Sequence, residues 1–266
     1  MSGVQNIRPM SFRTLFISDI HLGTRGCQAD MLLDFLRSVR CETLYLVGDI
    51  IDFWSMRRGL YWPQAHNDVL RTVLGMARHG TRVVYVPGNH DELFRDHLGT
   101  IFGNVEILER SIHVTADGRR LLVLHGDEFD GVVRCSPWLA RLGGHAYDLL
   151  IALNRHLNAV RRYFGYGYWS LAAFLKHRVK NAVQYIGDFE NAVVRAARQE
   201  GVDGLVCGHI HRPEVRMVDE VLYCNDGDWV ESCSALAEHR DGSLELLHWA
   251  EIRAREEAVV PLESAA

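Results

Sequence analysis

Short apolar runs alternate with helical stripes through the first half of the chain. Thr14 to Ser18, Thr43 to Val47 and Arg82 to Val86 read as strands, being apolar runs too short for a helix. Between them, Met31, Leu32, Phe35, Leu36 and Val39 recur on one helix face. Val69, Val73, Leu74, Met76 and Ala77 do so again before Gly80, a residue suited to ending a helix. Both stripes are expected to face the core, and the alternation predicts an α/β sandwich.

Further strands are expected at Val105 to Leu108, Ile112 to Thr115, Leu121 to Leu124, Gly204 to Cys207, Val215 to Val218, Val221 to Cys224 and Leu244 to His248. The turns Ala116-Asp117-Gly118 and Asp241-Gly242 suit hairpins. The second sheet is therefore expected to be partly antiparallel. From Gly131 to Gln199 the strand pattern stops, and Val179, Val183, Ile186, Phe189, Val193 and Ala197 trace one helical stripe. The organisation predicted is a core of residues 1–130 and 200–254, a helical insertion of 131–199 lying over the core as a lid, and a frayed tail of 255–266.

With 266 residues, 48% of them hydrophobic, the chain can bury a sizeable core. Its net charge of -5 argues against general binding to nucleic acid. Met1 to Phe12 lacks the pattern of a secretory signal, and no apolar run is long enough to span a bilayer. A cytoplasmic location is the expectation. The six cysteines show no CxxC spacing, so reduced and mostly buried thiols are expected rather than a zinc ribbon or disulfides.

The chemistry lies in short polar motifs, each placed after a predicted strand: Asp19-Ile20-His21, Gly48-Asp49, Gly88-Asn89-His90-Asp91, His125-Gly126-Asp127 and Gly208-His209-Ile210-His211. Strand ends are where open α/β sheets collect ligand groups. Carboxylates, imidazoles and an amide oxygen are donors for Mn, Fe, Zn or similar divalent ions, and the glycines permit tight turns beside them. One such motif alone more often caps a turn or packs in a core.

Taken in order, the five motifs resemble those of the calcineurin-like metallophosphoesterases, and the resemblance runs from Thr14 to about Val230. It implies a four-layer αββα sandwich and two divalent metal ions, Mn2+ being the expected pair and Fe or Zn the alternatives. Asp19, His21 and His211 would hold one ion, and Asn89, His125 and His209 the other, with Asp49 bridging. Two such ions can share a hydroxide that attacks phosphorus in line. His90 is expected to face the substrate and stabilise the transition state or protonate the leaving oxygen, with Asp91 orienting it. A turn residue bonded only to backbone is the plainer reading of His90. Asp52, Asp127 and Asp130 are candidates to hold ligand histidines in one tautomer, with cap or surface roles equally open.

Asp19-Ile20-His21-Leu22-Gly23, Gly48-Asp49-Ile50-Ile51-Asp52-Phe53-Trp54, His125-Gly126-Asp127 and the helical insertion look most like the UDP-2,3-diacylglucosamine pyrophosphohydrolases. That resemblance implies cleavage of a pyrophosphate to UMP and a diacylated sugar phosphate. The best-known branch has arginine after the ligand asparagine, where this chain has His90. A phosphodiesterase or phosphomonoesterase acting on a nucleotide or other phosphoester is the alternative.

Between Gly131 and Lys180, Arg134, Arg141, Arg155, Arg161, Arg162, Lys176, Arg178 and Lys180 face the single acid Asp148. Such separation of charge favours an anionic ligand. Trp138, Tyr163, Phe164, Tyr166, Tyr168, Trp169 and Phe174 lie in the same segment. A basic, aromatic lid suits a lipid-linked phosphoester drawn from the inner membrane surface, and a self-packed helical hairpin fits the same pattern. Lys176 and Lys180 are the only lysines among 29 basic residues, and at a spacing of four they share a helix face. With Arg178 they are the candidate substrate-binding residues. The expected partner is thus a small-molecule or lipid-linked phosphoester, with peripheral membrane contact and no nucleic acid.

Overall fold

The computed structural model describes residues 9–130 and 171–259, without the side chains of 171–184 and 257–259. The chain divides into two compact units, Met1–Glu128 with Val193–Ala266, and Phe129–Ala192. Two sheets build the larger unit. The first has seven strands: β12 (Leu244–His248), β11 (Ser234–Glu238), β1 (Met10–Ile17), β2 (Val39–Val47), β3 (Arg82–Val86), β5 (Val105–Ile107) and β4 (Ile101–Phe102), in that spatial order. The second has five: β6 (Ser111–Val114), β7 (Arg120–Val123), β8 (Gly204–Cys207), β10 (Val221–Asn225) and β9 (Glu214–Val218). Helices α1 (Ala29–Ser38), α2 (Phe53–Arg58) and α3 (Gln64–Arg78) follow β1 and β2; α4 (Leu171–Gln199) precedes β8, and α5 (Trp249–Val259) ends the described chain.

In the first sheet, β1, β2, β3 and β5 run parallel, in register at Ile17↔Leu46 and Val47↔Val86. In the second, β7, β8 and β10 run parallel, while β6 and β9 are antiparallel edges; Ala116-Asp117-Gly118 joins β6 to β7 as expected, and Asp241-Gly242 joins β11 to β12 in the first sheet. Parallel strands covered on both faces read as continuous apolar runs, and the central strands here do so. Phe16, Tyr45, Val47, Val84 and Val86 of the first sheet pack with Leu121, Val123, Val206 and Cys224 of the second. Each fully buried side chain of this size contributes roughly 1.5–3 kcal/mol. The opposite face of the first sheet packs under α1 and α3, through Leu32, Phe35, Leu36, Val69, Val73 and Ala77.

A buried polar tie joins the two sheets. Glu238 on β11 accepts from Arg13 at 2.6 Å and from the backbone N–H of Ala116 at 2.8 Å, and contacts His113 Nε2 on β6 at 2.7 Å. These partners outweigh the burial that opposes its charge and draw its pKa down to about 2.

Four details depart from the periodicity. Val39 opens β2 instead of closing α1, because it pairs with Met10 across the sheet. Leu74 is 41% exposed, on the solvent side of α3. Strand β11 was not expected: Ser-Ala-Leu-Ala-Glu has little β propensity, and its place between β1 and β12 buries all five residues, so no alternation marks it. Helix α5 runs through Val259, past the boundary expected at Ala254.

Cys207, Cys224 and Cys233 are buried and Cys27 and Cys41 partly so, all as free thiols; Cys135 lies outside the described residues. So does most of the basic segment expected as an insertion. Among the described residues no helix is long and apolar enough to cross a membrane.

Candidate metal centre

All five motifs follow the C-terminal ends of parallel strands. Asp19 and His21 follow β1, Asp49 follows β2, Asn89 and His90 follow β3, His125 follows β7, and His209 and His211 follow β8. Because β1, β2 and β3 are neighbours in one sheet and β7 and β8 in the other, the register of both sheets brings these ends together. Asp19, His21, Asp49, His209 and His211 have φ between 49° and 68°. That left-handed region costs a residue with a Cβ roughly 1–2 kcal/mol, and such strain concentrates at functional sites. Backbone bonds hold the turns, with Asp19 N donating to Gly48 O and His21 N to Asp49 O.

Three clusters result among the described residues: Asp19 with His21 and His211, Asp49 with His125 and His209, and Asp49 with His21 and His90. Asp49 is shared by the last two, its Oδ2 lying 3.4 Å from His125 Nε2 and 3.9 Å from His21 Nε2. His211 Nε2 is 3.0 Å from Asp19 Oδ1. Asp19 Oδ1, Asn89 Oδ1 and His125 Nε2 are buried atoms without a hydrogen bond. Buried polar atoms are normally satisfied, and three such atoms gathered at one place are what bound cations would satisfy. The donors present therefore fit two divalent ions.

The surrounding groups fix how the donors point. His125 Nδ1–H donates to Val47 O at 2.9 Å, which leaves Nε2 for the centre. Gly88 and Gly208 are required by close approach: a Cβ on Gly88 would fall 2.3 Å from Asp49 Oδ1, and one on Gly208 would fall 2.4 Å from Asp19 Oδ2. Burial opposes the charges of Asp19 and Asp49, but His211 beside the first and His125 beside the second outweigh it and hold both below the usual carboxylate range. Burial likewise opposes a charged His125, and Asp49 outweighs it, so its pKa is raised.

His90 stands beside the centre, with Nε2 4.0 Å from Asp49 Oδ2. The carboxylate beside it is Asp52, where Asp91 was expected. Asp52 Oδ2 lies 3.0 Å from His90 Nδ1 and 3.3 Å from His21 Nδ1, while its Oδ1 caps α2 by accepting from Ser55 N. Asp91 is fully buried and turned into the backbone, accepting from Gly88 N at 2.6 Å, Ile50 N at 2.7 Å and the Tyr85 hydroxyl. It braces the turns carrying Asp49 and Asn89. Asp127 pairs with Arg95 at 2.8 Å and Asp130 accepts from Tyr185.

Four neighbours went unassigned in the sequence. Trp54 packs on His90 with ring centroids 4.3 Å apart, Ser18 and Asp226 back Asp19, and Asp228 Oδ2 lies 4.0 Å from His211 Nδ1. The available signal was Asn225-Asp226-Gly227-Asp228, another polar motif at a strand end. Lys176, Arg178 and Lys180 lie on α4, and their side chains are outside those described.

Comparison with known proteins identifies the family. The profile of the calcineurin-like phosphoesterases matches residues 12–213. A UDP-2,3-diacylglucosamine hydrolase of Aliivibrio fischeri is 27% identical over 241 residues, 84% of this chain and 92% of its own. One of Xanthomonas oryzae pv. oryzae is 29% identical over 252 residues, 86% of this chain and 96% of its own. The profile spans all seven expected ligands, and the chain is accordingly a metal-dependent hydrolase belonging to the calcineurin-like phosphoesterase family.

Proposed function

We propose that this protein hydrolyses the pyrophosphate bond of a UDP-linked diacylated glucosamine, giving UMP and a lipid sugar phosphate. The chief support is a set of metal-competent clusters built from Asp19, His21, Asp49, His125, His209 and His211, in a chain that aligns over most of its length with proteins named UDP-2,3-diacylglucosamine hydrolase. Asp19, His21 and His211 would hold one cation and Asn89, His125 and His209 the other, with Asp49 shared. When bound, such a pair supplies activation of water and neutralisation of charge on the phosphoryl oxygens. Oxygen and imidazole donors without thiolate suit Mn2+, with Fe and Zn as competitors.

The chain's own groups orient and protonate. Burial works against a charged His90, but the contact with Asp52 and the charges of Asp49 and Asp52 outweigh it and raise its pKa. In this reading His90 presents Nε2 to the leaving oxygen and protonates it. Trp54 covers one face of that ring and is itself 40% exposed. Lys176, Arg178 and Lys180 are proposed as contacts to the anionic part of the substrate, and the basic segment as a peripheral contact at the cytoplasmic face of the membrane.

His90 favours one second reading, a phosphodiesterase or phosphomonoesterase acting on a nucleotide or other phosphoester. The test is to supply purified protein and Mn2+ with UDP-2,3-diacylglucosamine and measure UMP by chromatography. UMP release is expected. Hydrolysis of bis(p-nitrophenyl) phosphate without UMP release would move the assignment to the second reading, and no hydrolysis with any divalent ion would overturn both.

A further inference from the structure

A second carboxyl group, Asp226, stands behind Asp19, and both are fully buried. Ser18 lies between them. Its Oγ is 2.6 Å from Asp226 Oδ1, 2.6 Å from Asp19 Oδ2 and 3.0 Å from Gly227 O. A serine hydroxyl has one proton to give. Were both carboxyls ionised, one contact at 2.6 Å would set lone pair against lone pair in the interior, and one of the two groups must therefore carry a proton.

The surroundings decide which. Asp19 has His211 Nε2 at 3.0 Å, and its Oδ2 also accepts from His209 N at 2.9 Å. Asp226 Oδ2 is buried without a hydrogen bond. An ionised carboxylate with one oxygen so placed is costly, whereas a neutral acid is tolerated. Burial pushes the Asp226 carboxyl well above the usual range; Asp19 adds to this, and Ser18 and His125 oppose it.

We propose that Asp226 is a positioning residue of the metal centre: as a neutral carboxylic acid it donates to Ser18 Oγ, and Ser18 donates to Asp19 Oδ2. With Oδ2 fixed from both sides, by Ser18 and by His209 N, Asp19 presents Oδ1 to His21 and His211. Gly208 makes the arrangement sterically feasible, since a Cβ there would fall 2.4 Å from both Ser18 Oγ and Asp19 Oδ2. The proposal rests on the reading of Asp19 as a metal ligand.

Two measurements test it. Infrared difference spectra of wild type against Asp226→Asn at neutral pH, with and without Mn2+, are expected to show loss of a carboxylic-acid C=O band. Titration with Mn2+, followed by calorimetry, is expected to give wild-type affinity for Asp226→Asn, whose amide N–H also donates to Ser18. Ser18→Ala should lose about 10–100-fold in affinity. Loss of a carboxylate band in place of the acid band overturns the proposal, as does an Asn variant as weak as Ser18→Ala. If Asp226→Asn does not fold, a shift of the acid band in Ser18→Ala carries the spectral arm, and an unshifted spectrum overturns it. Wild-type Mn2+ affinity in Asp19→Ala would instead defeat the ligand assignment, while the infrared arm still reads Asp226.

Discussion

The carboxylate of Asp52 touches His90, with Oδ2 3.0 Å from Nδ1, and the same oxygen lies 3.3 Å from Nδ1 of the candidate ligand His21. One carboxylate oxygen thus faces both rings, as hydrogen-bond partner of His21 Nδ1 and within ion-pair distance of His90 Nδ1. Its pKa is held low because contacts from His21, His90 and Ser55 N outweigh its burial.

Asp52→Asn keeps the shape but can turn an N–H toward either imidazole. Removing an oriented partner of a ligand histidine costs about 10–100-fold in activity or metal affinity. We expect kcat to fall by about that much with KM little changed, as steady-state kinetics on an aryl phosphodiester would show. An unchanged kcat would refute the orienting role.

Metal removal should be visible without turnover. At a cation concentration about 100 times Kd, binding stabilises the fold by about 2.7 kcal/mol, or roughly 5–10 °C in Tm for a chain of this size. Chelation should lower the wild-type melting temperature by that order and shift His125→Ala by clearly less, as differential scanning calorimetry can read. Equal shifts in the two proteins would count against His125 as a ligand.

Gly88→Ala places a methyl group 2.3 Å from Asp49 Oδ1 and 2.7 Å from His125 Nε2. Both ligands must move. Small displacements at a reacting centre cost on the order of 100-fold, so activity should fall at least that far, with near-native circular dichroism.

Acid stability should depend on Glu238, whose pKa is drawn from 4.5 to about 2 in the folded state. A depressed carboxylate contributes stability that is fully present above about pH 4.5 and is lost as pH falls toward 2. Glu238→Gln should therefore be less stable than wild type at pH 7, and the gap should narrow between pH 4.5 and 2. Parallel urea midpoints across that range would contradict the assignment.

Much of this protein was legible in one dimension. Thr14 to Ser18, Thr43 to Val47 and Arg82 to Val86 mark central strands because a strand covered on both faces must be apolar throughout, and Asp19, Asp49 and Asn89 betray the site because each follows such a run. Strand β11 stayed hidden: its small residues suit several conformations, and only its neighbours β1 and β12 make it a strand.

The sequence by itself determined the fold class, through local periodicity, and the order of its strand-end motifs implied the seven candidate ligands by resemblance to the calcineurin-like phosphoesterases. Tertiary structure alone decided the roles of the other carboxylates. Asp52 and Asp91 both sit in promising motifs, yet Asp52 reaches His90 across the site while Asp91 folds back onto Gly88, Ile50 and Tyr85. Asp226 lies 208 residues from Ser18 and meets it at 2.6 Å only because the two sheets end at the same place. Contacts of that separation are set by sheet register and layer packing, which no local pattern encodes.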